Sequence, residues 1–155
     1  MSKKFELPLI VNRKAAYNYE FIESFKAGIV LTGTEIKSVK EAKVNMGDSF
    51  CYFKNSELWL KSLHISEYKN GSYANHEPMR LRKLLLNKKE IRRLESKIKE
   101  KGLTIIPYKL FFNERGIAKI EIVLARGKKA FDKRETIKER DSQKEIQRVK
   151  KSIRY

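Results

Sequence analysis

Mainly antiparallel β structure, an OB-fold-like barrel with flanking α-helices and a basic C-terminal tail, is the fold class this sequence predicts. Three observations predict it. Residues 50–61 and 103–125 each set strand-like runs on either side of turn formers, the second with alternating side chains, the pattern of β-hairpins. One strongly periodic helix lies between them. From Arg126 the composition turns abruptly cation-rich, dividing the chain into a body over 1–125 and a tail over 126–155. Hairpins with an inserted helix suit a partly open barrel, a common nucleic-acid platform, although a fold alone names no ligand.

The barrel needs a long bent strand, and residues 27–40 are the candidate. Ile29, Leu31 and Gly33 share one parity and β-branched residues dominate, so the stretch predicts a strand. Gly28 and Gly33 interrupt it. A glycine inside a strand marks a bulge, a bend or the close approach of another backbone. Glu35 follows at once, with Lys37 and Lys40, and spacing alone predicts a solvated carboxylate beside a structural bend.

Ahead of this stretch, Pro8 discourages a helix in the arm 1–11, and Asn12 is placed to cap a brief helix over 13–17. Asn12, the cations Arg13 and Lys14, and Tyr17 could meet RNA here, since cations suit phosphates and an exposed aromatic stacks on a base. A plain helix start with its tyrosines in the core is the equal alternative.

Beyond it, residues 41–49 hold turn formers. The first hairpin turns at 54–56, and Leu63, Ile65 and Tyr68 predict an extension of its second strand. Residues 69–79 lack periodicity and form the longest loop. Asn87 and Glu90 have capping-box spacing, Ile91, Leu94 and Ile98 share one helical face, and Gly102 supplies the stop. In the second hairpin Ile106, Tyr108, Leu110 and Phe112 alternate, then Ala118, Ile120, Ile122 and Leu124. Pro107 places the first arm at an edge or gives it a bulge.

Length and composition bound the function. At 155 residues the chain fits one domain, and 41% hydrophobic with 10% aromatic residues support a packed core. A formal net charge of +17 makes nucleic acid the leading partner class. An anionic membrane surface would prefer a basic amphipathic helix with a broad apolar face, and no apolar run approaches the roughly 18 residues of a membrane span. Cys51 is the only cysteine, and the start lacks a hydrophobic signal core, so the expectation is a cytoplasmic protein without an intrachain disulfide, with a monomer as the expected state. His64, His76 and Cys51 make a poor metal set, and His76 fits a loop hydrogen-bonder better than a ligand. No cofactor motif is present. An enzyme would need a poised constellation, and Glu35 with Asp48 or a scattered histidine does not supply one.

The tail carries twelve Lys or Arg against five Asp or Glu, so +7 of the charge sits there. Ile146, Val149 and Ile153 form a helical stripe too narrow to dock on a body. Such a segment is expected to be disordered when free and helical against a polyanion. A merely solubilising terminus is the alternative.

Five motifs then occur in register: residues 12–15 (NRKA), 27–38 (AGIVLTGTEIKS), Asn45 with Asp48-Ser49, 82–86 (RKLLL), and Gly127-Lys128-Lys129 with Asp132-Lys133-Arg134. Together they closely resemble the bacterial SsrA-binding protein (small protein B) family, from about Leu9 into the tail. The resemblance implies an RNA-binding adaptor that binds the tRNA-like domain of transfer-messenger RNA and delivers it to stalled ribosomes for trans-translation. It implies that the body stands in for a missing anticodon arm while the tail enters the small-subunit decoding centre and the empty mRNA channel. Carried over by position, Asn12, Arg13, Lys14, Tyr17, Glu35, Lys37 and Asn45 become the RNA-facing candidates, with Arg80, Arg82 and Lys83 beside them. Lys128, Lys129, Phe131, Asp132, Lys133 and Arg134 become the decoding-centre candidates. Many members have His where this chain has Phe131, a change that keeps stacking and loses an imidazole proton. A ribosomal or ribosome-assembly protein, or a basic protein coating RNA without selectivity, shares the charge and the barrel.

Overall fold

A computed structural model describes residues 7–71 and 74–128 of the chain. The chain enters as β1 (Ile10–Val11), α1 (Arg13–Asn18) and the long β2 (Tyr19–Ile29). Asn12 caps α1 as expected, its side chain accepting from the Ala15 N–H at 3.2 Å.

The strand expected over 27–40 stops at Ile29, and Gly33–Lys40 is a helix, α2. A capping box decides this. Thr32 accepts from the Glu35 N–H while the Glu35 carboxylate accepts from the Thr32 N–H at 2.8 Å. That reciprocal pair outweighs the β-branched content, and it turns Glu35, Ser38 and Val39 inward. Of the two glycines, Gly28 sits against the side chain of its cross-strand partner, where an added Cβ would lie 3.3 Å from the Leu85 Cβ. Gly33 has open space around it and starts the helix.

β3 (Val44–Asn45) follows, then the hairpin of β4 (Phe50–Lys54) and β5 (Glu57–Lys61). Asn55 and Ser56 take φ of 53° and 60°, the paired left-handed residues of a tight two-residue hairpin. β5 does not extend as expected. Ser62, with φ of 64°, turns the chain away, so β6 (His64–Ile65) pairs with β3 instead. After the long loop come β7 (Arg82–Leu85) and α3 (Lys88–Ile98), whose cap Asn87 accepts from the Glu90 N–H at 2.8 Å. Gly102, at φ of 85°, then leads into the hairpin of β8 (Leu103–Phe112) and β9 (Ala118–Gly127).

All pairings are antiparallel. The main sheet runs β1-β8-β4-β5-β7-β2-β9, and β8 pairs with β9 to close it into a barrel. The closure is uneven. β2 and β9 pair along most of their length, whereas β4 meets β8 through one residue pair, Cys51 with Ile105. This is the partly open barrel the hairpin order suggested.

Pro107 marks a bulge, not an edge. The register shifts between Pro107 and Lys109, and β8 has partners on both sides. The alternation expected through Ile106, Tyr108, Leu110 and Phe112 therefore breaks there. Ile105, Leu110 and Phe112 face the barrel core, while Ile106 and Tyr108 join Ala15, Val123 and Ala125 in a second cluster under α1. Leu58, Leu60, Leu84, Ile120 and Ile122 fill the barrel, with Val39 of α2 and Leu94 of α3 packed into the same core. Each such side chain contributes about 1.5–3 kcal/mol relative to exposure.

β9 continues two residues past the expected end of the body, and the Lys128 N–H bonds the Asn18 carbonyl at 2.9 Å. The tail candidates Lys129, Phe131, Asp132, Lys133 and Arg134 lie outside the described residues. Among the described residues no helix is long and apolar enough to cross a membrane.

Candidate nucleic-acid interface

α1 is short and its Ala15 is buried against β8 and β9, so its other side chains project from the barrel wall. Arg13 and Lys14 are exposed and Tyr17 is half-buried. Arg13 and Tyr17, with Tyr108, line an open hollow of about 490 Å3. Lys109 adds a further cation, its Nζ 5.2 Å from the Tyr108 ring centroid. The sequence alternation groups Tyr108 with Leu110 and Phe112, and the bulge at Pro107 turns it instead to the α1 side of the wall.

The loop after β3 meets α1 from the other side. Asn45 is exposed and its Oδ1 accepts from the Gly47 N–H at 2.9 Å, folding the loop back. Lys14 pairs with Asp48 at 2.9 Å, both largely exposed, so the pair adds little stability and yields readily to a ligand. Arg13, Lys14, Tyr17 and Asn45 thus form one cation-bearing face.

Asn12 holds this face together from inside. It is 4% exposed, and its side-chain N–H groups donate to the carbonyls of Pro107 at 2.9 Å and Met46 at 3.3 Å. One amide therefore ties the start of α1 to β8 and to the 45–49 loop. Expected as an RNA contact, it is a buried fastener, because each polar atom already has a protein partner.

Glu35 and Arg82 depart further from expectation. The predicted solvated carboxylate is fully buried, and so is the Arg82 guanidinium. Arg82 shares strand parity with Leu84, which carries it inside the barrel wall. Its Nε donates to Glu35 Oε2, and its other nitrogens donate to the carbonyls of Leu63 at 2.7 Å, Arg80 at 3.0 Å and Pro78 at 3.2 Å. Arg80 closes the other side, donating to Glu35 Oε1 at 2.6 Å and to the Val30 carbonyl at 3.1 Å. Burial pushes the Glu35 carboxyl up, but the Arg80 bond, the Thr32 N–H and the Arg82 guanidinium hold it below its ordinary value. Burial lowers Arg82 more than Glu35 raises it. Neither side chain offers a free edge to a base, and Glu35 cannot work with Asp48 as an acid–base pair.

Around this knot the remaining candidates separate. Arg80 stays a third exposed. Lys37 projects from α2 with its Nζ 5.3 Å from the Tyr68 ring centroid. Lys83 lies on the outer face of β7, 3.2 Å from Glu57. His76 is a buried hydrogen-bonder, as its position suggested: Nε2 donates to the Ile65 carbonyl and Nδ1 is hydrogen-bonded to the Thr34 hydroxyl, both at 2.9 Å. Cys51 is buried, and desolvation pushes its thiol far up, so it is inert as a nucleophile. Among the described residues no His, Cys, Asp and Glu cluster is arranged to hold a metal.

Known proteins match this chain over most of its length. The sequence model of the SmpB protein family matches residues 9–152. The SsrA-binding protein of Phocaeicola vulgatus is 54% identical over 140 residues, covering 90% of this chain and 93% of that one. The SsrA-binding protein of Cytophaga hutchinsonii is 54% identical over 141 residues, covering 91% and 92%. A chain of a solved tmRNA–SmpB structure concerned with the bacterial ribosome superposes with a TM-score of 0.68 at 53% identity. That match covers 79% of this chain and 86% of the other. By this agreement over nearly its whole length, the chain belongs to the SmpB protein family.

Proposed function

We propose that this protein is a non-catalytic RNA-binding adaptor. It binds the tRNA-like domain of transfer-messenger RNA and delivers it to stalled ribosomes for trans-translation. The observation that carries the reading is membership of the SmpB family across residues 9–152, with relatives described as SsrA-binding proteins. The geometry supports it. Arg13, Lys14 and Tyr17 present cations beside an aromatic on a rigid wall, which suits phosphate contacts with occasional stacking. Lys37, Arg80 and Lys83 extend the basic surface past the Glu35 knot. The buried Asn12, Glu35 and Arg82 act by holding those elements in place. The tail, with Lys128, Lys129, Phe131, Asp132, Lys133 and Arg134, is assigned to the decoding centre and the mRNA channel. The setting this role implies is the cytoplasm.

The test is binding to transfer-messenger RNA at near-physiological salt, with full-length tRNA and a scrambled RNA as competitors. A truncation ending at Lys128 keeps β9 whole and is run beside the full chain. Selective binding that survives truncation, with tagging lost, is the expected result. Equal affinity for all three RNAs overturns the adaptor reading and leaves a general basic RNA binder.

A further inference from the structure

A second hollow lies on the other side of α1 from the Tyr17 face, between that helix, the 45–49 loop and the start of β8. It measures about 250 Å3 and is lined by Lys14, Asn18, Tyr19, Asp48, Phe50 and Thr104, among others. Its size is below the roughly 300–1,000 Å3 of sites for drug-sized ligands, and it accommodates one planar heterocycle, not a run of bases.

Its chemistry is mixed in a specific way. Phe50 is an apolar wall left 39% exposed, with the Tyr52 ring 6.2 Å away. Asn18 and Thr104 line the space, and neither the Asn18 side-chain amide nor the Thr104 hydroxyl has a hydrogen-bond partner among the described residues. An amide presents a donor and an acceptor side by side, as a base edge does. Asp48 is held only by Lys14, in a pair exposed on both sides. A base amino group replacing that lysine would bond the carboxylate and release Lys14 toward a phosphate.

We propose that this cleft takes a single unpaired RNA nucleobase carrying an exocyclic amino group. The base stacks on Phe50, meets Asn18 along its edge and donates to Asp48, while Lys14 turns to the backbone. Stacking on an exposed aromatic with edge hydrogen bonds is how single-stranded bases are held. The identity of the ligand as RNA rests on the binding role proposed above.

The test is an NMR titration of the full-length protein with AMP, CMP, UMP and ribose 5-phosphate. AMP or CMP should produce saturable shifts at the Asn18 side-chain amide and Phe50, with UMP weaker. Phe50→Ala should weaken binding roughly tenfold, and Phe50→Tyr should restore it. Asp48→Asn should remove the preference over UMP. These side chains are exposed or line open space, so unchanged amide spectra elsewhere confirm the variants fold. Shifts reproduced by ribose 5-phosphate, equal response to UMP, or silence at Asn18 would each overturn the proposal. Transfer-messenger RNA binding measured on the same samples separates the two readings. Selective RNA binding with a silent cleft removes only this inference, whereas nucleotide capture without RNA selectivity removes only the adaptor.

Discussion

Arg82 directs its Nε at Glu35 Oε2 with both side chains wholly removed from water. Together with Arg80 they join the start of α2, β7 and the loop before it. Taking away one member leaves the other's charge buried and unpaired. Glu35→Gln is therefore expected to cost about 3–5 kcal/mol, read by urea denaturation of the body. A loss below about 1 kcal/mol would mean that water or the carbonyls of Leu63, Arg80 and Pro78 are enough to satisfy Arg82.

The same pairing fixes an acid dependence. The folded Glu35 carboxyl lies below its ordinary value, so unfolding takes up a proton at mildly acidic pH. Its stabilisation is fully present above the unfolded carboxyl's pKa and is lost as pH falls through the lower folded one. Stability measured from pH 7 downward should fall along this limb, and Glu35→Gln should flatten it. An unchanged slope in the variant would assign acid sensitivity to other carboxylates.

Asn12 has three hydrogen bonds to lose. Asn12→Ala removes an N-cap, a change of about 0.5–2 kcal/mol, and orphans the Pro107 and Met46 carbonyls. A total near 2 kcal/mol is expected. RNA affinity should drop alongside, although the side chain is not at the surface, because α1 and the 45–49 loop lose their common tie. Loss of stability with unchanged RNA affinity would show that the face survives without it.

Arg13 and Lys14 are expected to act as phosphate contacts. Replacing either with Ala should weaken RNA binding about equally across sequences and reduce the slope of log affinity against log salt by about 1. A change confined to one RNA, with the slope preserved, would make the residue a base reader instead.

Much of this architecture was legible in the residues, and the exceptions have identifiable causes. The α3 face, both hairpins and the Asn12 cap followed from period and spacing. The helix at Gly33–Lys40 was hidden because its Ile and Val favour a strand, while the deciding signal, Thr32 three residues before Glu35, is a local one. The β8 bulge announced itself through Pro107, yet the change of face it imposes depends on register. Partner-dependent burial was least legible. Arg82 looks like a surface cation beside Lys83, and only the pairing of β7 turns it toward Glu35. The five motifs located the family correctly while leaving open which of their polar residues are contacts and which are scaffolding.

The narrow seam between β4 and β8 has a practical consequence. Its one residue pair contains Cys51, the sole thiol of the chain, sealed from water. A thiol reagent can reach that sulfur only when the wall parts. Labelling kinetics at Cys51 would thus clock the breathing of the barrel, and a bound RNA that bridges α1 and β4 should slow the clock.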